Sequence, residues 1–228
     1  MNLAFNRLLS RMSSNKGYTI DQTILIVAII AILITLVIIT VGWQLINRSS
    51  GTKAGAQFKQ VEDANGQFYS GQHMWPSVAL TTAGTPTSNM AVLVANSIPA
   101  ASWASNVDKT DLRNILPGFR TSGTGTATVV YHGFGGGSST TGVITEQVNT
   151  MATVGADQRM VVQFVDVPLS DAKEADKALD GAIDATKGRI VYGTSACLNG
   201  TIGGATTIPT TQPTASLVTV CYAANTAQ

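Results

Sequence analysis

The side chains that could bind a metal ion or act as acids and bases are few and scattered in this sequence. His73 and His132 are its two histidines, and they stand 59 residues apart in unlike contexts. A zinc site needs three or four converging ligands, and neither neighbourhood supplies the others at helical or hairpin spacing. We therefore interpret both histidines as surface or loop residues, and the sequence predicts no metal site.

A glycine-rich segment and an acidic segment could serve catalysis, but both have simpler interpretations. Residues 133–139 lack the Gly-Lys-Ser/Thr ending that grips phosphate and magnesium, so we expect a flexible turn. Acidic residues interleaved with lysines along one predicted helix indicate a solvated face with helix ion pairs. These acidic residues are Asp171, Glu174, Asp176, Asp180 and Asp184. The sequence also lacks a Gly-x-Ser-x-Gly elbow, so we predict no catalytic residue, no enzymatic activity and no cofactor.

The overall charge gives no indication of a nucleic-acid partner. The 228 residues include 14 Lys and Arg against 13 Asp and Glu, a formal net charge of +1, and the basic residues form no stripe. Charged residues make up 12 % of the chain, which is low for a free globule and suits a subunit with much buried surface. Roughly 160 residues remain for a soluble part once the predicted leader and the long hydrophobic helix described below are subtracted, enough for one hydrophobic core.

The element that must organise the chain is an apolar segment near the start of the sequence. Ile24–Val41 is an eighteen-residue run in which two threonines are the sole polar residues, and no charged residue occurs between Asp21 and Arg48. At about 1.5 Å per residue the run covers roughly 27 Å, close to the hydrocarbon thickness of a bilayer. A helix satisfies its own backbone in lipid, so we predict a membrane helix. Residues 1–17 contain three basic residues and no acidic residue, which predicts that they lie on the cytoplasmic side.

The residues just before the apolar run resemble the processing site of type IV prepilins. Lys16-Gly17-Tyr18 ends a short basic leader, whereas a secretory signal has its small-residue cleavage site after the hydrophobic segment. Residues 28–33, Ala-Ile-Ile-Ala-Ile-Leu, are similar to the middle of a pilin helix, and the resemblance covers residues 11–35. It implies that a dedicated peptidase removes residues 1–17 by cutting after Gly17. Tyr18 would become the methylated N terminus of a 211-residue product, a size similar to that of the type IVb pilins.

Asp21 is the first acidic residue of the chain and precedes the next, Glu62, by most of the predicted helix. The pilin family usually has glutamate at the fifth mature position, whereas this chain has Asp21 at the fourth and Gln22 at the fifth. A charge in an apolar filament core is costly unless it is paired. We therefore predict that Asp21 pairs with the α-amino group of Tyr18 in a neighbouring subunit. The alternative is that Asp21 only complements the positive end of its own helix.

The same helix is predicted to extend over residues 18–69, with residues 20–46 as its membrane-spanning or filament-core part. Apolar positions recur at spacings of four and three in its second half, which predicts a face that covers a sheet. This face contains Ala54, Phe58, Val61, Asn65 and Phe68. Charged residues fall off the face: Lys53, Lys59, Glu62 and Asp63. Three glycines weaken the helix, and a break at one of them is the alternative.

Residues 70–228 are predicted to form a globular head. Turn residues and short apolar pieces indicate a loop region up to residue 126 with one or two short helices. A helix is expected to begin after the N-cap Ser170. β-type runs predict strands at residues 128–131, 143–148, 160–165, 189–192 and 217–222. The predicted fold class is therefore α+β, with a long N-terminal helix packed on a mostly antiparallel sheet, a layout that the pilin resemblance also implies.

Cys197 and Cys221 are the two cysteines of the sequence. The membrane interpretation places both outside the cytoplasm, where exported chains tend to pair their cysteines. We predict a disulfide that closes a loop of about 25 residues, and two unrelated free thiols are the alternative. Residues 199–216, rich in Thr, Gly and Pro, would then form an exposed loop held by the disulfide.

Together these features predict a structural protein, a pilin subunit of a type IV pilus-like filament. The resemblance implies that it forms a homo-oligomeric helical filament by bundling its apolar helices. Its partners would be the prepilin peptidase and the inner-membrane assembly machinery, and it would move from the bacterial inner membrane to an extracellular pilus. The alternatives are a minor pilin, a type II secretion pseudopilin, or a single-pass periplasmic binding protein that keeps its leader.

Overall fold

The structure, a computed structural model, describes residues 20–82, 85–95, 97–133 and 141–226. Within these residues there are three α-helices and six β-strands, so the predicted α+β class is confirmed. The helices are α1 (Ile20–Gln72), α2 (Pro86–Val94) and α3 (Leu169–Asp180). The strands are β1 (Arg120–Ser122), β2 (Val129–Tyr131), β3 (Val143–Thr150), β4 (Gln158–Pro168), β5 (Ile190–Gly193) and β6 (Leu217–Thr226).

The chain divides between Leu45 and Ile46 into two compact units. In the first unit the described residues belong to α1. Its segment Ile20–Ile38 is long and apolar enough to cross a membrane, and none of it is buried within the chain. The helix continues to Gln72 without a break at any of its glycines, so the predicted continuity is confirmed from residue 20 onward.

In the second unit, α1 ends three residues later than predicted because its last turn is held by backbone contacts. The amide of His73, a residue with φ of 54°, donates to the carbonyl oxygen of Tyr69 at 2.7 Å. The Gln72 side chain bonds both backbone groups of Asp108, with Nε2 donating at 3.1 Å and Oε1 accepting at 2.7 Å. These contacts satisfy groups that a helix end leaves open.

The six strands form one sheet in the order β1-β2-β3-β4-β6-β5, with every described pairing antiparallel. The five predicted strands are confirmed, with boundaries shifted by a few residues. β1 was not predicted, because its three residues, Arg-Thr-Ser, carry no apolar period. The centre of the sheet is the pair β3–β4, whose register runs from Ile144 opposite Phe164 to Thr150 opposite Gln158.

The edges of this sheet are short or covered. At one edge, β1 has three residues. At the other edge, two amides of β5 bond outside the sheet: Ile190 donates to the Asp180 carboxylate at 2.9 Å, and Tyr192 donates to the carbonyl of Ala185 at 3.1 Å. The connection between α3 and β5 therefore occupies donors that an edge strand would otherwise leave open.

One face of the sheet packs against the helices. The predicted face of α1 is confirmed, since its members are all buried: Ala54, Phe58, Val61, Asn65 and Phe68. The Phe58 ring lies 4.4 Å from that of Phe164 in β4 and 5.7 Å from that of Tyr222 in β6, measured between centroids. Each large apolar side chain buried in this way contributes about 1.5–3 kcal/mol to folding.

The other face packs against residues between Cys197 and Cys221, and the predicted disulfide joins these two cysteines. Polar contacts add to it: Gln163 Oε1 accepts the amide of Cys197 at 2.9 Å, and Asn149 Nδ2 donates to the carbonyl of Gly204 at 2.9 Å. A small apolar cluster surrounds the disulfide and contains Met151, Val161, Val191 and Ala223. Both covalent and polar contacts therefore hold this segment on the sheet.

The start of α3 differs from its prediction. The helix begins at Leu169, with Pro168 at the N-cap and no side-chain capping bond, so Ser170 lies inside the first turn. The reason is that β4 stays paired with β6 up to Pro168, opposite Leu217, and leaves no residues for a separate cap. Gly181, with φ of 80°, ends the helix.

The buried side of α3 includes acidic residues. Asp171 and Asp176 are buried, which contradicts their assignment to a solvated face, whereas Leu179 and Ile183 are exposed. Asp176 is held inside by the amide of Asp184, which donates to its Oδ2 at 2.8 Å. Burial raises the pKa of Asp176 to about 6, against the opposing effect of that hydrogen bond.

Replacing both cysteines, with C197A and C221A together, should lower the free energy of unfolding by about 3 kcal/mol, because the unfolded chain regains the entropy of the open loop. Chemical denaturation of the full-length oxidised protein in detergent measures the change. Wild-type protein with its disulfide reduced is the matched control and should lose a similar amount. If the double variant were as stable as the oxidised wild type, the polar contacts of Gln163 and Asn149 alone would hold the segment.

Candidate assembly helix and its contact with the sheet

The first part of α1 presents apolar side chains around its circumference. From Ile20 to Ile38 every residue is exposed within the chain. The hydroxyl of Thr35 donates to the carbonyl of Ala31 at 2.8 Å, which hides much of its polarity. The large exposed apolar residues are Ile20, Ile24, Leu25, Ile26, Val27, Ile29, Ile30, Ile32, Leu33, Ile34, Leu36, Val37 and Ile38. A helix that is apolar all round requires apolar surroundings, either lipid or other apolar helices.

The residues predicted to guide processing and assembly are described only in part. Asp21 lies in the first turn of α1 and is exposed within the chain. There its charge complements the positive end of the helix dipole, worth about 0.3–1 kcal/mol. Gly17 and Tyr18 lie outside the described residues. Cleavage after Gly17 and pairing of Asp21 with Tyr18 of a neighbouring copy therefore stay predictions.

The second part of α1 is joined to the sheet by Glu62, which the sequence pattern placed off the apolar face. Glu62 is buried. Its Oε1 accepts from Nη2 of Arg189 at 2.9 Å, and its Oε2 accepts from the Tyr222 hydroxyl and from Lys59 Nζ, each at 2.7 Å. The Arg189 guanidinium also lies over the Tyr222 ring, 4.9 Å from its centroid, and donates to the carbonyl of Ala223 at 3.1 Å.

This network keeps a buried carboxylate ionised. Burial alone would raise the pKa of Glu62, but hydrogen bonds from Lys59 and Tyr222, together with the charge of Arg189, hold it below its ordinary value. Because Arg189 directly precedes β5 and Tyr222 lies in β6, the network ties α1 to two neighbouring strands. Glu62 is the buried member of this network, whereas the Arg189 side chain is 42 % exposed, so water screens part of the cost of losing one cation.

A second polar contact under α1 is built on Glu146 of β3, which has no exposed surface. Asn65 Nδ2 donates to Glu146 Oε2 at 2.6 Å and to the carbonyl of Val61 at 3.0 Å. From α2, Asn89 Nδ2 donates to the backbone carbonyl of Glu146 at 2.9 Å and to Ser77 Oγ at 3.2 Å. The other carboxyl oxygen, Oε1, is buried without a hydrogen-bond partner in the described structure.

Glu146 is the opposite of Glu62 in its charge state. Burial raises the pKa of Glu146 to about 8, and the hydrogen bond from Asn65 offsets this effect only in part. At neutral pH the carboxyl is therefore mainly protonated and uncharged. The interface between α1 and the sheet thus holds one ionised and one neutral carboxyl group, each set by its own partners.

The two histidines have different surroundings. Both lie outside helices and strands, in keeping with their interpretation as surface or loop residues, but His73 is exposed whereas the side chain of His132, in the loop after β2, is buried. Its Nε2 donates to the carbonyl of Val165 at 2.7 Å. A side chain at Gly142 would come within 2.9 Å of the His132 ring, so the glycine leaves the space that the ring needs. Among the described residues, no group of three or more His, Cys, Asp or Glu is arranged to hold a metal ion.

In comparisons with known proteins, no family model matches this chain. No curated protein and no solved structure is significantly similar to it. We therefore infer a function from the residues of the chain itself, above all from the apolar first part of α1 and the polar anchoring of its second part.

Replacing Glu146 by glutamine should remove a pH-dependent loss of stability. Between pH 4.5, the ordinary pKa, and about pH 8, the unfolded chain has released a proton that the folded chain keeps, so wild-type stability falls as the pH rises through this window. The fall is up to about 1.4 kcal/mol per pH unit, and below the window it is absent. The stability of E146Q relative to wild type should therefore increase from pH 4.5 to 8.

Denaturation of the full-length protein in detergent at several pH values measures this difference. D157N is the matched control, because Asp157 is an exposed carboxylate in the turn before β4, and it should leave the wild-type pH dependence unchanged. Parallel stability curves for E146Q and wild type would show that Glu146 is ionised in the folded state throughout this range.

Proposed function

We propose that this protein is a pilin-like subunit that polymerises by bundling its apolar N-terminal helices in the core of a filament. The observation that carries the proposal is α1, a single helix of 53 residues. Its segment Ile20–Ile38 exposes an apolar surface, and its second half packs one face on the sheet. Once the helix leaves lipid, its apolar side chains need another cover, and burial against neighbouring copies supplies it.

Two features support export and processing of such a subunit. The basic leader that ends in Lys16-Gly17-Tyr18 resembles the cleavage site of type IV prepilins. The disulfide between Cys197 and Cys221 fits an oxidising compartment outside the cytoplasm. In this proposal the precursor resides in the bacterial inner membrane, the prepilin peptidase cuts it, and the assembly machinery adds it to an extracellular homo-oligomeric filament.

A second candidate function is a membrane-anchored periplasmic binding protein. The same segment Ile20–Ile38 favours it, since a permanent anchor needs no more than one span. Such a protein would keep its leader and stay in the membrane. A minor pilin or a type II secretion pseudopilin would share the processing and differ in its abundance in sheared filaments.

Replacing Gly17 by leucine should stop processing, because a peptidase that recognises a small residue cannot accommodate the larger side chain. We expect uncut precursor in the inner membrane and loss of surface filaments, measured by N-terminal sequencing and by electron microscopy of sheared material. S13L, a leader substitution four residues earlier, is the matched control and should be processed normally. Filaments built from subunits that retain residues 1–17 would contradict the proposal.

Replacing Asp21 by asparagine should block assembly after processing. Two unit charges about 4 Å apart gain roughly 4 kcal/mol at an effective dielectric near 20, which would offset much of the cost of burying Asp21 in a filament core. D21N keeps the size and removes the charge, so processed protein should accumulate in the inner membrane while filaments disappear. D63N, which changes an exposed acid of the same helix, should assemble normally. A normal filament yield from D21N would leave Asp21 with only its helix-end role.

A further inference from the structure

The C-terminal part of the chain is uncharged and contains a threonine-rich surface loop before β6. Beyond Arg189 the sequence contains no Asp, Glu, Lys or Arg. Within this part, the nine residues Thr206–Thr214 contain five threonines and two prolines. Threonine interspersed with proline is the composition typical of O-glycosylated segments, because proline keeps the backbone extended and the hydroxyls accessible.

The structure separates the threonines of this loop into two kinds. Thr210, Thr211 and Thr214 are exposed, and within the described structure their hydroxyls make no hydrogen bond to the protein. Thr206 is buried, and its hydroxyl donates to the carbonyl of Thr150 at 3.1 Å. The hydroxyls of Thr210, Thr211 and Thr214 are therefore free to react or bind, whereas the hydroxyl of Thr206 is engaged. The fifth threonine of the loop, Thr207, is also exposed, but its backbone amide is bonded to the carbonyl of Cys197.

The exposed threonines border a groove of about 510 Å³. Its other wall is formed by Gly193, the last residue of β5, and by the two residues that follow it, Thr194 and Ser195. An added side chain at Gly193 would come within 2.9 Å of Pro209, so this glycine permits the close approach of the two walls. The groove is lined by hydroxyl, amide and small apolar groups and by no charged side chain.

The groove is held open by fixed contacts. The amide of Thr207 donates to the carbonyl of Cys197 at 2.9 Å, and Cys197 is joined to Cys221 of β6 by the disulfide. Within the loop, Gln212 Nε2 donates to Oδ1 of Asp184, which lies outside it, at 3.4 Å. A preformed neutral groove beside accessible hydroxyls suits a sugar ring, which offers hydroxyl groups and an apolar ring face but no charge.

We propose that Thr210, Thr211 and Thr214 are acceptors for O-linked neutral sugars, and that the first sugar ring lies in the adjacent groove. The absence of charged groups from the lining favours a neutral sugar over an acidic one, which would need a cation to pair with. The proposal requires export but does not depend on filament assembly.

The modification is a glycosyl transfer from an activated donor, a sugar bonded through its anomeric carbon to a phosphate. The threonine Oγ attacks the anomeric carbon, so an Oγ–C bond forms while the bond from that carbon to the phosphate oxygen breaks. The phosphate leaves with the bonding electron pair, and the hydroxyl proton passes to a base of the transferase. No oxidation or reduction occurs.

The test uses full-length protein that its native host has exported and that is recovered from the cell surface. The same chain made by cell-free synthesis is the unmodified reference. After reduction and alkylation, trypsin yields the intact peptide Ile190–Gln228, because no Lys or Arg follows Arg189. We expect this peptide to exceed its sequence mass by one or more sugar residues. Mild alkali should remove the sugar by β-elimination and leave the threonine short of one water. Fragmentation should place the mass on Thr210, Thr211 or Thr214.

Variants give the matched comparison. The triple variant T210V, T211V and T214V should return the peptide to its sequence mass, whereas T206V should keep the added mass. The same peptide contains Asn199-Gly200-Thr201, but the amide nitrogen of Asn199 already donates to the carbonyl of Ala205 at 3.0 Å. A sugar that survives alkali on Asn199, a sugar on Thr206, or an exported peptide at its sequence mass would overturn the proposal.

The two proposals fail separately. Filaments built from unmodified subunits would overturn glycosylation and leave the proposed filament function intact. Exported protein that is modified at these threonines but is never found in filaments would overturn the filament function and leave the glycosylation proposal intact.

Discussion

The packing of Phe58, Val61 and Phe68 on the sheet is the contact on which the second unit depends. A long helix with several glycines gains little from intrinsic propensity, so its stability in water comes from tertiary contacts of this kind. Apolar packing does not by itself fix how far a helix rotates or slides. Glu62 and Asn65, on the same helix, meet polar partners in different strands and thereby define one position. Burial thus supplies most of the free energy, and the polar contacts select the register.

Two carboxyl groups in this interface show how environment decides charge. Glu62 accepts hydrogen bonds from the Arg189 guanidinium, the Lys59 ammonium and the Tyr222 hydroxyl, and so it stays ionised. Glu146 has one amide donor and an oxygen with no partner in the described structure, and so it keeps its proton. The first contact is sensitive to loss of a partner and the second to a rise in pH. One helix is therefore held on the sheet by two contacts that respond to different conditions.

The sequence was informative where the physical signal is local. The spacing of Ala54, Phe58 and Val61 predicted the buried face of α1, and β-type runs predicted five strands. It failed where burial depends on distant partners: Glu62 meets residues 127 and 160 positions away, and Glu146 meets one 81 positions away. Pairing of β4 with β6 up to Pro168 moved the start of α3 away from Ser170. For the first part of α1, the sequence identified the apolar surface, and the described residues do not cover it.

The closed edges of the sheet bear on how crowded copies of this chain behave. Proteins confined to a membrane plane collide often, and an open strand edge would let one sheet template another into a cross-β stack. Here β1 is too short to offer a long ladder, and the amides of Ile190 and Tyr192 are already engaged by Asp180 and Ala185. The described sheet therefore offers few open backbone groups through which a second copy could add a strand.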